Sequence, residues 1–355
     1  MKKYALKLAD DSVAILKKDD DKYQFFSENY KFYFDRKTGF FARWGKTQDD
    51  DGDPNLGLPE IADIEISTIC NGINGVPCAF CYKANTGNGT YMNLETFKKV
   101  FHNLPPTITQ IAFGIGDINA NPDMWEIFNY CNDNGVVPNV TINGEGMEDY
   151  IADKLVEKCG AVAVSLYDKN KTYNAVKKLT DRGLKQTNIH FMLSEETIDR
   201  SYQLMEDYKN DPRLEKLNAI VFLSLKKKGR ARSHFNQCSK DDFKKIINYA
   251  FDNNIPIGFD SCSYHKFADS IKGSDNESNL IQVAESCESS IYSSYINVDG
   301  KFFPCSFCEE TEGWENGIDV VNTNNFLKDV WYNERTNKFR KNLISCSRKC
   351  PLYDI

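Results

Sequence analysis

The stretch "IADIEISTICNGINGVPCAFCYK", residues 61–83, sets the reading of the whole chain. Its first seven residues alternate and are rich in β-branched side chains, so "IADIEIS" (61–67) is predicted to be a strand. Three cysteines follow at C-x7-C-x2-C spacing: Cys70, Cys78 and Cys81. A strand that ends in a thiol-bearing loop places those thiols at one rim of whatever sheet the strand joins. Zinc is the first alternative, because C-x2-C is half of a zinc knuckle. A zinc ribbon needs its second pair about 15–20 residues on, whereas the next cysteine is Cys131. Cubane iron–sulfur clusters are normally held by four thiolates. Three ligands leave one iron open to chelate a small molecule, which suits catalysis better than a structural site.

Outward from this stretch, strand-like and amphipathic segments alternate. "LETFKKVFHNL" (94–104) puts Leu94, Phe97, Val100, Phe101 and Leu104 on one helical face. Then come "QIAFG" with "PDMWEIFNYCNDNG", "VPNVTI" with "EDYIADKLVEKCG", and "AVAVSL" with "KTYNAVKKLTDRG". "NIHFML" with "EETIDRSYQLMEDY" and "AIVFLSL" with "KDDFKKIINYAFDN" complete six strand–helix units. Such a series implies a parallel sheet with right-handed crossovers. The expected fold class is α/β, a partial (β/α)6 barrel over 61–260 with its site at the C-terminal ends of the strands. A flat doubly wound sheet is the architecture that periodicity alone leaves open. Residues 1–60, aromatic and turn-punctuated with a hairpin near Lys37–Gly39, are read as a β-rich region. The acidic run "DDDGD" (49–53) reads as a solvated loop, since it lacks the glutamate of a calcium loop. Residues 261–355 form a third, cysteine-rich region.

The chain has 355 residues, 41% of them hydrophobic, with a net charge of −7. The acidic balance argues against nucleic acid as a partner, and no apolar run reaches the ~20 residues of a membrane span. With no signal-peptide pattern at the start, a cytoplasmic protein is expected. Twelve cysteines in such a setting point to metal ligation or redox chemistry rather than disulfides. Cys131 and Cys159, near helix ends, read as small buried hydrophobes.

The cysteine loop, with its "CAFC" ending, resembles the radical S-adenosylmethionine (radical SAM) superfamily. The usual spacing there is C-x3-C-x2-C, and here the first gap is seven. "FGIGDINANPD" (113–123) falls where the family has its Gly-Gly-Glu segment, with Ile115, Gly116 and Asp117 at the motif positions. "TINGEG" (141–146) resembles the Thr-Asn-Gly stretch after the third strand, bringing in Asn143, and "AVAVSLYD" (161–168) the fourth strand, bringing in Ser165. The resemblance implies a [4Fe-4S] cluster on Cys70, Cys78 and Cys81 whose open iron chelates S-adenosyl-L-methionine. One electron then gives a 5′-deoxyadenosyl radical that abstracts hydrogen from an unactivated carbon. It also implies Phe80 near the adenine, Asp117 as partner of the methionine ammonium, and Ser165 as a polar contact. From the residues alone, Phe80 reads equally as a core ring and Ser165 as a turn hydroxyl.

"CESSIYSSYINVDGKFFPC" (287–305), with Gly300 in a "DGK" hairpin, and "FLKDVWYNERTNKFRKNLISCSRKCP" (326–351) resemble the SPASM and Twitch extensions of that superfamily. This implies one auxiliary [4Fe-4S] cluster on Cys287, Cys305, Cys346 and Cys350, with Cys308 as a substitute for one of them. Zinc on the same thiolates is the alternative. Cys262, in "GFDSCSYHK", is a candidate hydrogen donor to a substrate radical, an additional ligand, or an inert thiol. "LKKKGRARSHF" (225–235) reads as a solvated loop or an anchor for an anion; His234 and His265 are given no role. By resemblance the substrate is a peptide or protein undergoing crosslinking, epimerisation or oxidation, with an external electron donor such as flavodoxin or ferredoxin. The N-terminal region would dock the peptide or merely cap the barrel. A small-molecule radical dehydrogenase, an RNA-modifying enzyme and a non-enzymatic metal-binding module are the alternatives.

Overall fold

In the computed structural model, residues 1–47, 52–232 and 234–355 are described. The acidic run at 49–53 therefore lies largely outside the described residues. The N-terminal region is a five-stranded antiparallel meander of β1 (Lys2–Lys7), β2 (Val13–Lys18), β3 (Lys22–Phe26), β4 (Lys31–Asp35) and β5 (Phe41–Trp44), paired in chain order. Gly39, at φ +75°, closes the β4–β5 hairpin. One face is solidly aromatic: Tyr23, Phe25, Phe32 and Phe34 are all buried, with Phe25 and Phe32 stacked at 5.1 Å.

The barrel strands are β6 (Ile61–Glu65), β7 (Gln110–Gly114), β8 (Val137–Ile142), β9 (Ala161–Ser165), β10 (Thr187–Leu193), β11 (Ala219–Ser224) and β12 (Ile257–Phe259). The helices between them are α1 (Leu94–Asn103), α2 (Met124–Asp133), α3 (Asp149–Lys158), α4 (Lys169–Asp181), α5 (Ile198–Asn210) and α6 (Lys240–Asp252). Strands 6 to 12 lie side by side in chain order, and every neighbouring pair is parallel. This order settles the architecture. Right-handed crossovers that always step the same way put every helix on one face, whereas a doubly wound sheet needs a reversal of order. The expected partial barrel is the fold observed.

Alternation along the strands explains the curl. Ile111, Phe113, Val140, Val162, Val164, Ile189, Phe191, Ile220 and Phe222 point outward and are buried. They meet Phe97, Val100, Phe128, Leu155, Val176, Leu179, Met205, Phe243 and Ile247 from the helices. The inward positions carry small or polar side chains: Asp63, Ala112, Gly114, Asn139, Thr141, Ala163, Ser165, Asn188 and His190. Small groups on the concave side let the strands close over a lumen.

Beyond the barrel come α7 (Tyr264–Ile271) and α8 (Glu277–Gln282), then β13 (Ser293–Ile296), β14 (Lys301–Phe303) and β15 (Ile318–Asp319), and last α9 (Glu334–Ser345). β13 pairs parallel with β6, so the cysteine-rich region extends the barrel sheet directly to ten strands. β13 and β14 form the hairpin, with Gly300 at φ +72°. The N-terminal sheet is pinned at this seam. Arg43, almost fully buried, pairs with Glu60 and Glu288 at 2.7 Å each and with Glu285 at 3.1 Å. Its guanidinium lies 3.6 Å from the Tyr292 ring centroid. Among the described residues no helix is long and apolar enough to cross a membrane.

Candidate functional site

The loop after β6 carries Cys70, Cys78 and Cys81 to the C-terminal rim of the barrel. Its long first gap folds back on itself. Ile73 and Val76 exchange backbone hydrogen bonds at 3.1 and 3.0 Å, so the extra residues form a closed turn. Gly72 is required there: φ is +77°, and a Cβ would stand 1.9 Å from the Val76 carbonyl oxygen. The turn is anchored from outside. Asn74 N donates to Glu145 Oε2 at 3.0 Å, and Lys171 bridges Asn74 Oδ1 at 2.6 Å and the Glu145 carboxylate.

The three thiols lie within electrostatic reach of one another. Burial, followed by the neighbouring Cys70 and Cys81 sulfurs, pushes the Cys78 thiol up to about 11. Cys70 is raised by burial and by the Asp117 carboxylate beside it. Asp117 is held by its backbone N–H to Ile69 O at 3.0 Å, and its Oδ2 accepts from Asn71 N and Nδ2 at 2.9 and 2.7 Å. Its Oδ1 is buried with no hydrogen-bond partner among the described residues. Gly116 lets this loop close on the first: a Cβ there would sit 1.9 Å from Ile69 O and 2.7 Å from Cys70 Cβ. Phe80 packs against Tyr167 at 5.2 Å and Phe235 at 5.9 Å. Ser165, buried at the end of β9, accepts through its carbonyl from Tyr167 N at 3.1 Å and Thr172 Oγ1 at 3.0 Å. Asn143 caps the turn after β8 by accepting from Glu145 N at 2.9 Å. The segments singled out along the sequence therefore converge on one rim.

In the second group, Cys305 and Cys308 have their sulfurs 3.6 Å apart. Cys287 and Cys350 are coupled electrostatically to Cys305, and Cys308 to Cys350. The contact between the two thiols lowers the Cys305 thiol, while burial and the neighbouring Cys305 raise that of Cys308. Cys346 is exposed at the C-cap of α9. The structure thus brings together Cys287, Cys305, Cys308 and Cys350, with Cys308 in the place the sequence reading gave to Cys346. Arg348 locks the last turn by donating to Cys287 O at 2.8 Å and Ser286 O at 2.9 Å. Cys262 lies near Cys287 and Cys305, and its thiol, raised by burial, meets the Lys226 ammonium. Cys131 and Cys159 are buried in the helix–sheet core, and His234 is exposed.

The basic stretch is not a solvated loop. Lys226 and Lys228 are buried, at 4% and 6% exposure. Lys226 pairs with Asp260 and sits 4.8 Å over the Phe307 ring. Lys228 Nζ donates to the carbonyls of Ser306, Phe307 and Glu309, within the loop that carries Cys305 and Cys308. Two residues on, Arg230 grips the other loop: its N bonds Cys81 O at 3.0 Å, its Nε bonds Cys78 O at 2.8 Å and its Nη1 bonds Asn85 O at 3.1 Å. Gly229, at φ +58°, has no room for a side chain, since a Cβ would lie 2.4 Å from Tyr82 O. Alternate residues of one strap hold both cysteine loops. Sequence reading saw the charge and missed the role, because its targets are backbone carbonyls that carry no sequence signal. Tyr167 and Phe235 were missed likewise; the aromatic spacing around "SLYD" was the available hint for Tyr167.

Among the described residues no three His, Cys, Asp or Glu side chains converge tightly enough for a single metal ion. The donor set of the first loop instead fits a larger thiolate-bound group: three thiols within electrostatic reach of one another and a carboxylate oxygen left unpaired beside them.

No protein-family model matches the chain, and no curated protein sequence matches it. Solved structures do match in fold. SuiB from Streptococcus suis bound to the precursor peptide SuiA aligns with TM-score 0.62 at 15% identity, covering 80% of this chain and 66% of SuiB. SuiB bound to S-adenosylmethionine gives 0.62 at 14%, covering 81% and 69%. The anSMEcpe protein with bound AdoMet and Cp18Cys peptide gives 0.59 at 14%, covering 82% and 84%. This chain thus spans slightly less than two thirds of SuiB in the peptide-bound structure, and at such identities the likeness is one of fold.

Proposed function

We propose that this protein is a radical SAM enzyme that acts on a peptide or protein substrate. The observation that carries this reading is the meeting of Cys70, Cys78 and Cys81 with the unpaired Asp117 Oδ1 at the barrel rim. Cys70, Cys78 and Cys81 would hold the [4Fe-4S] cluster. When bound, cluster and S-adenosylmethionine supply a 5′-deoxyadenosyl radical for hydrogen abstraction. The chain's own residues do the positioning. Asp117 Oδ1 accepts from the methionine ammonium, as a buried carboxylate without a donor calls for one. Phe80, Tyr167 and Phe235 form an aromatic wall that excludes water from the reacting side. Ser165 and Asn143 line the rim beside them.

Cys287, Cys305, Cys308 and Cys350 would hold an auxiliary thiolate-ligated cluster, with Cys262 at its margin. The peptide reading is supported by the bound peptides of SuiB and anSMEcpe and by the N-terminal sheet, whose first strand has, among the described residues, an outer edge with no strand paired to it that could take an extended chain. Anaerobic reconstitution with iron and sulfide tests the first half: under reduction the protein should release 5′-deoxyadenosine from S-adenosylmethionine, and a metal-binding module would not. Offering short peptides encoded beside the gene tests the second by mass change, and an unchanged mass for all of them counts against a peptide substrate.

A further inference from the structure

We propose that Asp63, in the middle of β6, is the anchor for a positively charged side chain of the substrate, an ammonium or a guanidinium. Aspartate is disfavoured inside a central strand, and β6 is hydrogen-bonded on both sides, to β7 and β13. Its neighbours Ala62 and Ile64 are buried against the helices, so Asp63 points the other way, into the lumen. There it is accessible to solvent yet walled by protein, and burial alone pushes its carboxyl up to about 6.

Asp63 has no hydrogen-bond or ion-pair partner among the described residues. The contrast with Glu65, two residues along on the same face, is direct. Glu65 pairs with Lys83 at 3.1 Å and accepts from Tyr295 Oη at 3.1 Å. The cations of the first loop and the strap are committed elsewhere: Lys83 to Glu65 and Glu309, Lys226 to Asp260, and Lys228 and Arg230 to loop carbonyls. The protein therefore supplies no counter-charge to Asp63, and a carboxylate that faces the lumen unpaired is free to take its partner from a ligand's cation.

Space is provided as well. Across the sheet Asp63 is level with Ala112, with Gly114 and Ala163 further along the inner surface. The location matches the reacting region. The phenol of Tyr82 feels the charges of Asp63, Glu65 and Cys81, and its ring packs at a tilt against Phe307 at 4.4 Å, a residue between Cys305 and Cys308 in the chain. Asp63 thus opens onto the lumen between the two cysteine loops.

This inference rests on the reading above and names the chemistry of the substrate it lacks. The test compares N-acetyl-lysinamide with N-acetyl-norleucinamide in equilibrium dialysis against the reconstituted holoprotein. The lysine probe should bind about tenfold or more tightly than its uncharged isostere. Asp63→Asn should erase that preference and Asp63→Glu should keep it. Ala112→Leu, which fills the space beside the carboxylate, should weaken the lysine probe and keeps the test decisive if Asp63→Asn does not fold. Equal binding of the two probes to the wild type, or an unchanged preference in Asp63→Asn, overturns the assignment. Release of 5′-deoxyadenosine by the wild type is measured in parallel: its absence strikes the radical reading, whereas loss of the lysine preference strikes only Asp63.

Discussion

The two cysteine loops are held by one strap and differ in what they leave open. The first, around Cys70, Cys78 and Cys81, gathers its thiols beside an unpaired carboxylate oxygen and an aromatic wall. The second gathers four, with the Cys305 and Cys308 sulfurs in contact at 3.6 Å and Arg348 sealing the last turn over Cys287. An incomplete donor set beside an unused acceptor is built to take a ligand, and a complete one is built to close. On the proposed function, the first loop would carry the chemistry and the second would serve electron transfer or structural stapling.

Removing a thiol from each loop gives the largest expected contrast. Cys78→Ala should lower 5′-deoxyadenosine formation by about a hundredfold or more, since losing a metal ligand disables the site it completes. Cys308→Ala should lower the iron content per chain and leave that cleavage measurable. Product quantified by chromatography beside iron analysis checks both, and equal loss of cleavage in the two variants would erase the distinction.

Asp117→Ala should weaken S-adenosylmethionine by about ten- to a hundredfold, the cost of one charge-assisted hydrogen bond in a buried site. Isothermal titration under anaerobic conditions reads it. The same substitution should leave the iron of the second loop in place.

The strap can be split residue by residue. Arg230→Ala should make the first loop's iron exchange faster into a chelator, and Lys228→Ala the second's. Each leaves buried carbonyls without donors, at about 1–3 kcal/mol. Arg230→Lys should rescue only in part, because one ammonium cannot reproduce the planar fork that meets Cys78 O and Asn85 O.

The smallest effect concerns Asp63. Its carboxyl is raised to about 6 in the fold, so the folded protein holds that proton more tightly than the unfolded chain. The charged form is therefore disfavoured in the fold, and the penalty builds as pH rises from the unfolded carboxylate range to about 6 and is constant above it. Asp63→Asn should raise the melting temperature slightly at pH 7.5, less at pH 4, and leave it unchanged once the pH is well below the unfolded carboxylate value. The gain should stay below about 1 kcal/mol, because the group is solvent-accessible and screened. A destabilised Asp63→Asn at pH 7.5 would mean the carboxylate has a structural partner.

Much of this site is legible in the residues. The strand before Cys70, the glycine and aspartate at 116 and 117, and Ser165 at the end of a strand all sit where chain order places them, because in a parallel barrel each strand delivers its C-terminal residue to the same rim. Other parts are not legible. Lys228 and Arg230 look like surface charges in sequence, and burial against backbone carbonyls turns them into clamps. Cys346 and Cys308 cannot be ranked by spacing, since α9 decides which thiol turns inward and which stays exposed.

The sequence by itself determined the alternating strand–helix order, the thiol-rich loops and the aromatic N-terminal sheet, because hydrophobic period and turn residues act locally. Only the tertiary structure decided that the sheet runs in one direction to a partial barrel, that β13 adds to β6, and that one basic strap joins two loops far apart in the chain. Those outcomes depend on which distant surfaces meet, and a linear pattern fixes which faces are apolar without fixing which of them pair.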